Sequence, residues 1–136
     1  MNIKDGYALQ LAVKKGYRVL IISGGFSELV KERLEKLGVT EVFMNVHDKR
    51  QVLLDYMQQH NLTTSQVLFM GDDIPDLEVM GVAGLPCCPA DACMEVKAIS
   101  KYISPKDGGS GCGRDVIEKV MKLHGKWHHT NEVVSK

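Results

Sequence analysis

Short, continuous apolar runs alternate along this chain with stretches whose apolar residues recur at helical spacing, and that alternation leaves few architectures open. The run YRVLIIS (17–23) reads as a strand buried on both faces, and QVLFM (66–70) reads as a further apolar strand. EVFM (41–44), the weaker LPCC (85–88) and KYIS (101–104) read as shorter strands. Between them lie helical patterns. Asp5 can cap a helix with Leu9, Ala12 and Val13 on its apolar face and Gly16 at its close. Ser27 caps a second helix, carrying Val30, Leu34 and Leu37 and ended by Gly38. A third begins near Asp48 and presents Val52, Leu53, Tyr56 and Met57. A short helix follows near 75–80, another covers 92–99, and a last one carries Val116, Ile117, Val120 and Met121. Strands that alternate with helices predict an α/β fold, a Rossmann-like parallel sheet with helices on both faces. No linker or repeat interrupts residues 1–125, which read as one domain, and 126–136 reads as a frayed C-terminal tail.

In such a sheet, ligands bind at the carboxyl ends of the strands. This directs attention to Ser23, to the turn before Lys49 and to residues 72–76. VLFMGDDIPD (67–76) empties an apolar strand into a glycine and three carboxylates, Asp72, Asp73 and Asp76. Carboxylates this close repel one another unless a cation or a basic group is present. One reading is a magnesium site, with Asp72 as ligand and Asp73 and Asp76 in supporting hydrogen bonds. The other is a capped turn in which Asp72 or Asp73 opens a helix. Ser23-Gly24-Gly25 can offer a hydroxyl and backbone amides to a phosphate oxygen, or can be a plain strand-to-helix turn. Lys49 stands in the first turn of its helix, where a cation opposes the helix dipole. It is either a surface lysine or a group that neutralises phosphate charge. In GGSGCGRD (108–115), glycines permit close approach of backbone to ligand and Arg114 can pair with an anion, although a flexible loop before a helix has the same composition.

Composition excludes several classes. Lys plus Arg and Asp plus Glu balance at 17 each, so there is no basic footprint for nucleic acid. Hydrophobic residues make up 44% and charged residues 25%, and no apolar run is long enough to span a bilayer. The opening residues lack a signal-peptide pattern, which predicts a cytoplasmic protein without membrane or nucleic-acid partners. Cys87, Cys88, Cys93 and Cys112 form no C-x-x-C pair, and Cys87 and Cys88, in an apolar stretch, read as reduced core thiols, so a bound cation would be a hard, oxygen-liganded one. His128 and His129 resemble a metal pair but fall in a polar tail, and no ligand role is expected of them.

Taken in order, a hydroxyl after a strand, a lysine at a helix start and G-D-D-x-x-D after a later strand resemble the second, third and fourth motifs of the haloacid dehalogenase superfamily. NIKDGYALQLAVKKG (2–16), GDDIPDLEVM (71–80), CCPADA (87–92) and GGSGCGRDV (108–116) are similar to the 3-deoxy-D-manno-octulosonate 8-phosphate phosphatases, those of Bacteroides type above all. The resemblance covers about residues 1–125. It implies a capless fold and magnesium-dependent hydrolysis of a sugar-acid phosphomonoester in the pathway to lipopolysaccharide. It also implies a homotetramer in which the C-terminal glycine-rich tail reaches toward a neighbouring active site. By motif match, Ser23 would bind the phosphoryl group, Lys49 would stabilise the aspartyl-phosphate, and Asp72 would hold magnesium with Asp73 and Asp76 in support. Gly24 and Gly25 would line the substrate, and Gly108, Gly109, Gly111 and Arg114 would belong to the tail. Ser110 stands where relatives often carry Arg. Gly25 leans the choice toward an octulosonate over a nonulosonate 9-phosphate.

One family feature is not found. The superfamily's first strand ends in D-x-D, whose first Asp is the nucleophile and whose second is the general acid/base. None of Asp5, Asp48, Asp55, Asp72, Asp73, Asp76, Asp91, Asp107 and Asp115 forms a D-x-D, and only Asp72 follows an apolar strand. That strand lies, in the superfamily, between those ending at Ser23 and Asp72. Three readings remain: a truncated phosphatase, an inactive remnant serving as an oligomerisation or binding module, and a phospho-acceptor signalling domain. The expectation is that residues 1–136 alone bind magnesium weakly and do not turn over substrate.

Overall fold

A computed structural model describes residues 3–127, with side chains from Asp5 onward. These residues form two compact units: one comprises the chain up to Asn45 together with the chain from Gly109, and the other comprises Val46–Gly108.

The first unit holds α1 (Ile3–Lys14), β1 (Leu20–Ile22), α2 (Glu28–Lys36), β2 (Glu41–Phe43) and α6 (Cys112–Leu123). β1 and β2 run parallel, with Leu20 opposite Glu41 and Ile22 opposite Phe43. α1 packs on α6, and Leu11, Ala12 and Met121 make a core edged by Tyr7, Tyr17, Val19, Ile117 and Trp127. The buried face of α1 is Ala8, Leu11 and Ala12, one residue round from the expected Leu9, Ala12 and Val13, because the helix packs on α6. α2 begins as expected, with Ser27 Oγ accepting the Val30 amide at 3.2 Å.

Asp5 departs from expectation. It lies inside the first turn of α1, and its carboxylate accepts the Arg114 amide of α6 at 2.9 Å. The residue that opens α6, Gly111, has no side chain and sits at φ 96°. A carboxylate borrowed from α1 therefore does what a local cap would do: it satisfies an orphan amide and places negative charge at the positive end of the helix dipole.

The second unit holds α3 (Lys49–Gln59), β3 (Leu68–Met70), α4 (Leu77–Met80), β4 (Leu85–Cys88), α5 (Met94–Ile99) and β5 (Tyr102–Ile103). Its sheet is parallel in the order β3-β4-β5. Met80, Cys88, Ala92 and Val96 form its core, with Phe69, Leu77 and Cys93 packed against them. LPCC, the weakest strand in sequence, is the central one, and Pro86, Cys87 and Cys88 are buried. Proline is tolerated there because Pro86 faces β5, and its carbonyl accepts the Lys101 amide at 2.8 Å just before β5 begins. The strand expected to be buried on both faces is only half-buried along β1, and β3 is half-buried too. Each has a single hydrogen-bonded strand neighbour among the described residues, so apolar composition does not become full burial. Both are also three residues long, shorter than the runs 17–23 and 66–70.

Cys87 and Cys88 are free and buried, as expected, and Cys93 and Cys112 are free too. Burial, with the neighbouring Cys88 adding to it, pushes the Cys87 thiol up to about 11, which keeps it protonated and unreactive. Among the described residues, no helix is long and apolar enough to cross a membrane. Packing continues two residues past the expected domain end at 125. Trp127 meets Tyr7 edge-on at 6.3 Å between ring centres, and the Lys126 ammonium lies 5.4 Å from the centre of the Tyr17 ring. The rest of the tail, with His128 and His129, lies outside the described residues.

The capping role of Asp5 is testable by denaturant unfolding. Asp5→Ala is expected to lower stability by roughly 0.5–2 kcal/mol with an unchanged denaturant slope, the usual range for a lost N-terminal cap. A variant as stable as the parent would show that the carboxylate does not cap α6.

Candidate active site

β3 delivers its chain end to the acidic turn through Gly71. The Gly71 amide still bonds the Cys87 carbonyl at 3.0 Å, so the strand pairing reaches the turn itself. A methyl group at Gly71 would stand 2.6 Å from Met80 Sδ and 2.7 Å from Asp76 Cβ. Only glycine lets Asp76 come back against the strand, and this close approach brings the turn into register.

Asp76 is 5% exposed, and both its oxygens are used. Oδ1 accepts Lys49 Nζ at 2.8 Å. Oδ2 accepts the backbone amides of Asp72 at 3.0 Å and Asp73 at 3.3 Å. Burial pushes the Asp76 carboxyl up, but the Lys49 hydrogen bond and charge, with the two amides, outweigh it and hold the group below its ordinary value. Asp73 Oδ1 accepts the Ile74 amide at 2.8 Å, and Asp73 caps the short 3₁₀ turn Ile74–Asp76. The capped-turn reading is thus right for Asp73. Asp72 differs from both. Its carbonyl accepts the Cys93 amide at 3.1 Å, and its carboxyl group lies within hydrogen-bonding reach of that of Asp76. Burial, then Asp76 and the charge of Asp73, push it up, with Lys49 opposing.

The arrangement therefore assigns distinct tasks to three neighbouring acids. Asp76 is the fixed acceptor, Asp73 the cap, and Asp72 the carboxylate left crowded by negative charge. A cation beside Asp72 would relieve that crowding, and a hard divalent ion suits an all-oxygen donor set. The fit is to one ligand position. Among the described residues, no group of three or more His, Cys, Asp or Glu side chains is arranged to hold a metal.

Lys49 is positioned by α3, whose first turn it opens. Asp48 accepts the Gln51 amide at 3.0 Å, so Asp48 caps the helix and Lys49 is left to reach Asp76. In the other unit, the Ser23 amide continues β1 by bonding the Phe43 carbonyl at 2.8 Å. Ser23 Oγ accepts the Gly25 amide at 3.2 Å, and the Gly25 carbonyl accepts the Asn45 amide at 2.9 Å. Ser23 Oγ acts here as an acceptor, and a hydroxyl also carries a proton of its own to donate. Arg114 is engaged locally. Its guanidinium lies 5.8 Å from the Tyr7 ring centre and 5.5 Å from that of Trp127, with Nε 3.5 Å from Glu118. Gly109 and Gly111 take φ of 89° and 96°, in the left-handed region that glycine favours. Sequence reasoning did not single out Asp91, whose carboxylate accepts the Gly108 amide at 2.8 Å. Nothing local marks it, since the bond joins loops 17 residues apart.

Residues 35–113 match the family model of the haloacid dehalogenase-like hydrolases, more than half of the chain, and the chain belongs to that family. Within it, the chain is similar to 3-deoxy-D-manno-octulosonate 8-phosphate phosphatases named KdsC. It is 30% identical to that of Escherichia coli K12 over 92% of its own length and 66% of the relative's. Identity with the Haemophilus influenzae protein is 26%, over 92% of this chain and 69% of the other. The chain thus spans about two thirds of the curated relatives' length. Among solved structures it resembles the Moraxella catarrhalis phosphatase in complex with magnesium, phosphate and KDO, with a TM-score of 0.86 and 31% identity, covering 90% of this chain and 70% of that one.

The Lys49–Asp76 pair sets a stability prediction. Lys49→Met leaves a buried carboxylate unpaired, and is expected to cost roughly 2–4 kcal/mol, below the full range for buried pairs because Lys49 keeps some solvent contact. A carboxyl held below its ordinary value stabilises above that value, near 3.8, and loses its contribution as pH falls through the lowered one. Acid unfolding of the parent is therefore expected to be steeper at low pH than that of the variant, and superimposable acid-titration curves would contradict the pairing.

Proposed function

We propose that this chain supplies the lysine, metal-ligand and phosphate-binding parts of a magnesium-dependent phosphatase for a sugar-acid phosphomonoester. The substrate we assign is 3-deoxy-D-manno-octulosonate 8-phosphate, cleaved to the free sugar acid and phosphate. The observation that carries the reading is the division of labour at the end of β3, where Asp76 fixes Lys49 and leaves Asp72 as the crowded carboxylate. The similarity to KdsC phosphatases supports the substrate class. Ser23, Gly24 and Gly25 would hold the phosphoryl oxygens. Lys49 would offset charge that builds on them, held in place by Asp76, and Asp73 would keep the turn in shape. Asp72 would hold magnesium, which would neutralise charge on the transferring phosphoryl group. Gly108, Gly109, Gly111 and Arg114 would contact the sugar acid, Arg114 after leaving its place between Tyr7 and Trp127. A homotetramer in the cytoplasm goes with this reading.

Family chemistry transfers the phosphoryl group to an Asp carboxylate before water releases it. No Asp of the 136 residues sits in a D-x-D. Asp72 is unsuited to the task, because a carboxylate that holds the metal is committed to balancing charge rather than attacking phosphorus. Turnover would thus require an acceptor carboxylate on an added apolar strand.

The test assays octulosonate 8-phosphate, beside a nonulosonate 9-phosphate, with magnesium. One arm uses residues 1–136 and the other the same chain with an N-terminal apolar strand ending in D-x-D. Turnover is expected only in the extended form, with the octulosonate preferred, and Asp72→Asn there is expected to cost on the order of 100-fold or more. Calorimetry is expected to find only weak magnesium binding by residues 1–136. Robust magnesium-dependent turnover by the 136 residues alone would refute the account of the acceptor carboxylate. An extended form that hydrolyses neither sugar-acid phosphate would refute the substrate class.

A further inference from the structure

The glycine segment that follows β5 begins from an anchored start. Ser104 is 1% exposed, its amide bonds the Cys88 carbonyl at 2.9 Å, and its hydroxyl accepts the Lys106 amide at 3.1 Å. The Lys106 carbonyl accepts the Ala90 amide at 2.9 Å. Two residues on, the Gly108 amide donates to Asp91 Oδ1 at 2.8 Å. Residues 104, 106 and 108 are therefore tied in turn, and the last tie, at Gly108, is made by a side chain. Beyond it, Gly109 and Gly111 adopt left-handed backbone, and at the far end of the segment the Arg114 amide is held by Asp5.

We infer that Asp91 is a positioning residue for recognition of the sugar-acid part of the substrate: its carboxylate fixes the first amide of the glycine segment and so presets the segment's path. This rests on the function proposed above. Asp91 is exposed, and an exposed hydrogen bond adds little to global stability, so its effect must be sought in local order. Glycine loses more conformational freedom on ordering than any other residue, so a glycine-rich contact segment binds weakly unless something orders it beforehand. Steric need does not account for the contact. A methyl group at Gly108 would stand 3.6 Å from Asp91 Oδ1 and 3.8 Å from Pro89 Cγ, ordinary distances. What the site specifies is the amide hydrogen bond, and a side-chain acceptor at residue 91 is what supplies it.

The experiment uses the 136-residue chain, Asp91→Ala and Asp91→Asn. Amide hydrogen exchange at Gly108 is followed by NMR, and octulosonate 8-phosphate and inorganic phosphate are titrated separately with magnesium present. In Asp91→Ala, Gly108 exchange and the Kd for octulosonate 8-phosphate are each expected to rise roughly tenfold, with the Kd for inorganic phosphate unchanged, since misplacing a contact segment weakens only what it touches. Asp91→Asn keeps an acceptor oxygen and is expected to recover most of both. A merely structural residue would weaken both ligands together. Unchanged Gly108 exchange in Asp91→Ala, equal weakening of the two ligands, or no recovery in Asp91→Asn would each overturn the inference. A parent chain that binds the sugar-acid phosphate no better than inorganic phosphate would instead overturn the substrate reading, and Gly108 exchange would still decide whether Asp91 anchors the segment.

Discussion

The carboxylate of Asp76 is the constraint on which the acidic turn depends. A buried, ionised carboxylate is costly unless it is paired and hydrogen-bonded. Here one oxygen takes Lys49 and the other takes two consecutive backbone amides. Those amides belong to Asp72 and Asp73, so the group that neutralises Lys49 also sets the backbone of the proposed metal ligand. Gly71 completes the arrangement, because any side chain there would occupy the space of Asp76 Cβ. The turn is a small closed system in which replacing one member displaces the others.

The sheets show a second dependence. β4 has neighbours on both sides and is buried, although its sequence contains a proline and two cysteines in place of the usual branched residues. β1 and β3 have the more strand-like sequences and are half-buried. Burial of a strand follows from its neighbours as much as from its side chains, and both of these strands end their sheets among the described residues.

That contrast explains what the sequence made legible. The order and type of the elements followed from apolar periodicity, and the local cap Ser27 was readable because donor and acceptor lie three residues apart. The acidic turn was readable because its carboxylates are adjacent in sequence. Contacts across long separations carried no local signal. Asp5 looks like the cap of its own helix and instead caps α6, and Asp91 looks like an ordinary loop acid and instead holds Gly108. The different tasks of Asp72, Asp73 and Asp76 were likewise hidden, since they arise from which lone pairs the folded backbone consumes.

Lys49 shows how magnitudes can separate structure from chemistry. A cation in the first turn of a helix works against the dipole by roughly 0.3–1 kcal/mol. Its pair with Asp76 offsets that, but removing two charges from water cancels much of the gain, and well-packed apolar residues in their place are often as stable or more so. Stability alone therefore gives little reason for a lysine and an aspartate to meet here. A cation held beside a crowded carboxylate at the end of a parallel strand is, by contrast, what charge transfer onto phosphate oxygens needs. On the function we propose, the pair places positive charge where a phosphoryl group would develop negative charge, and the fold tolerates its cost because both Asp76 oxygens accept hydrogen bonds.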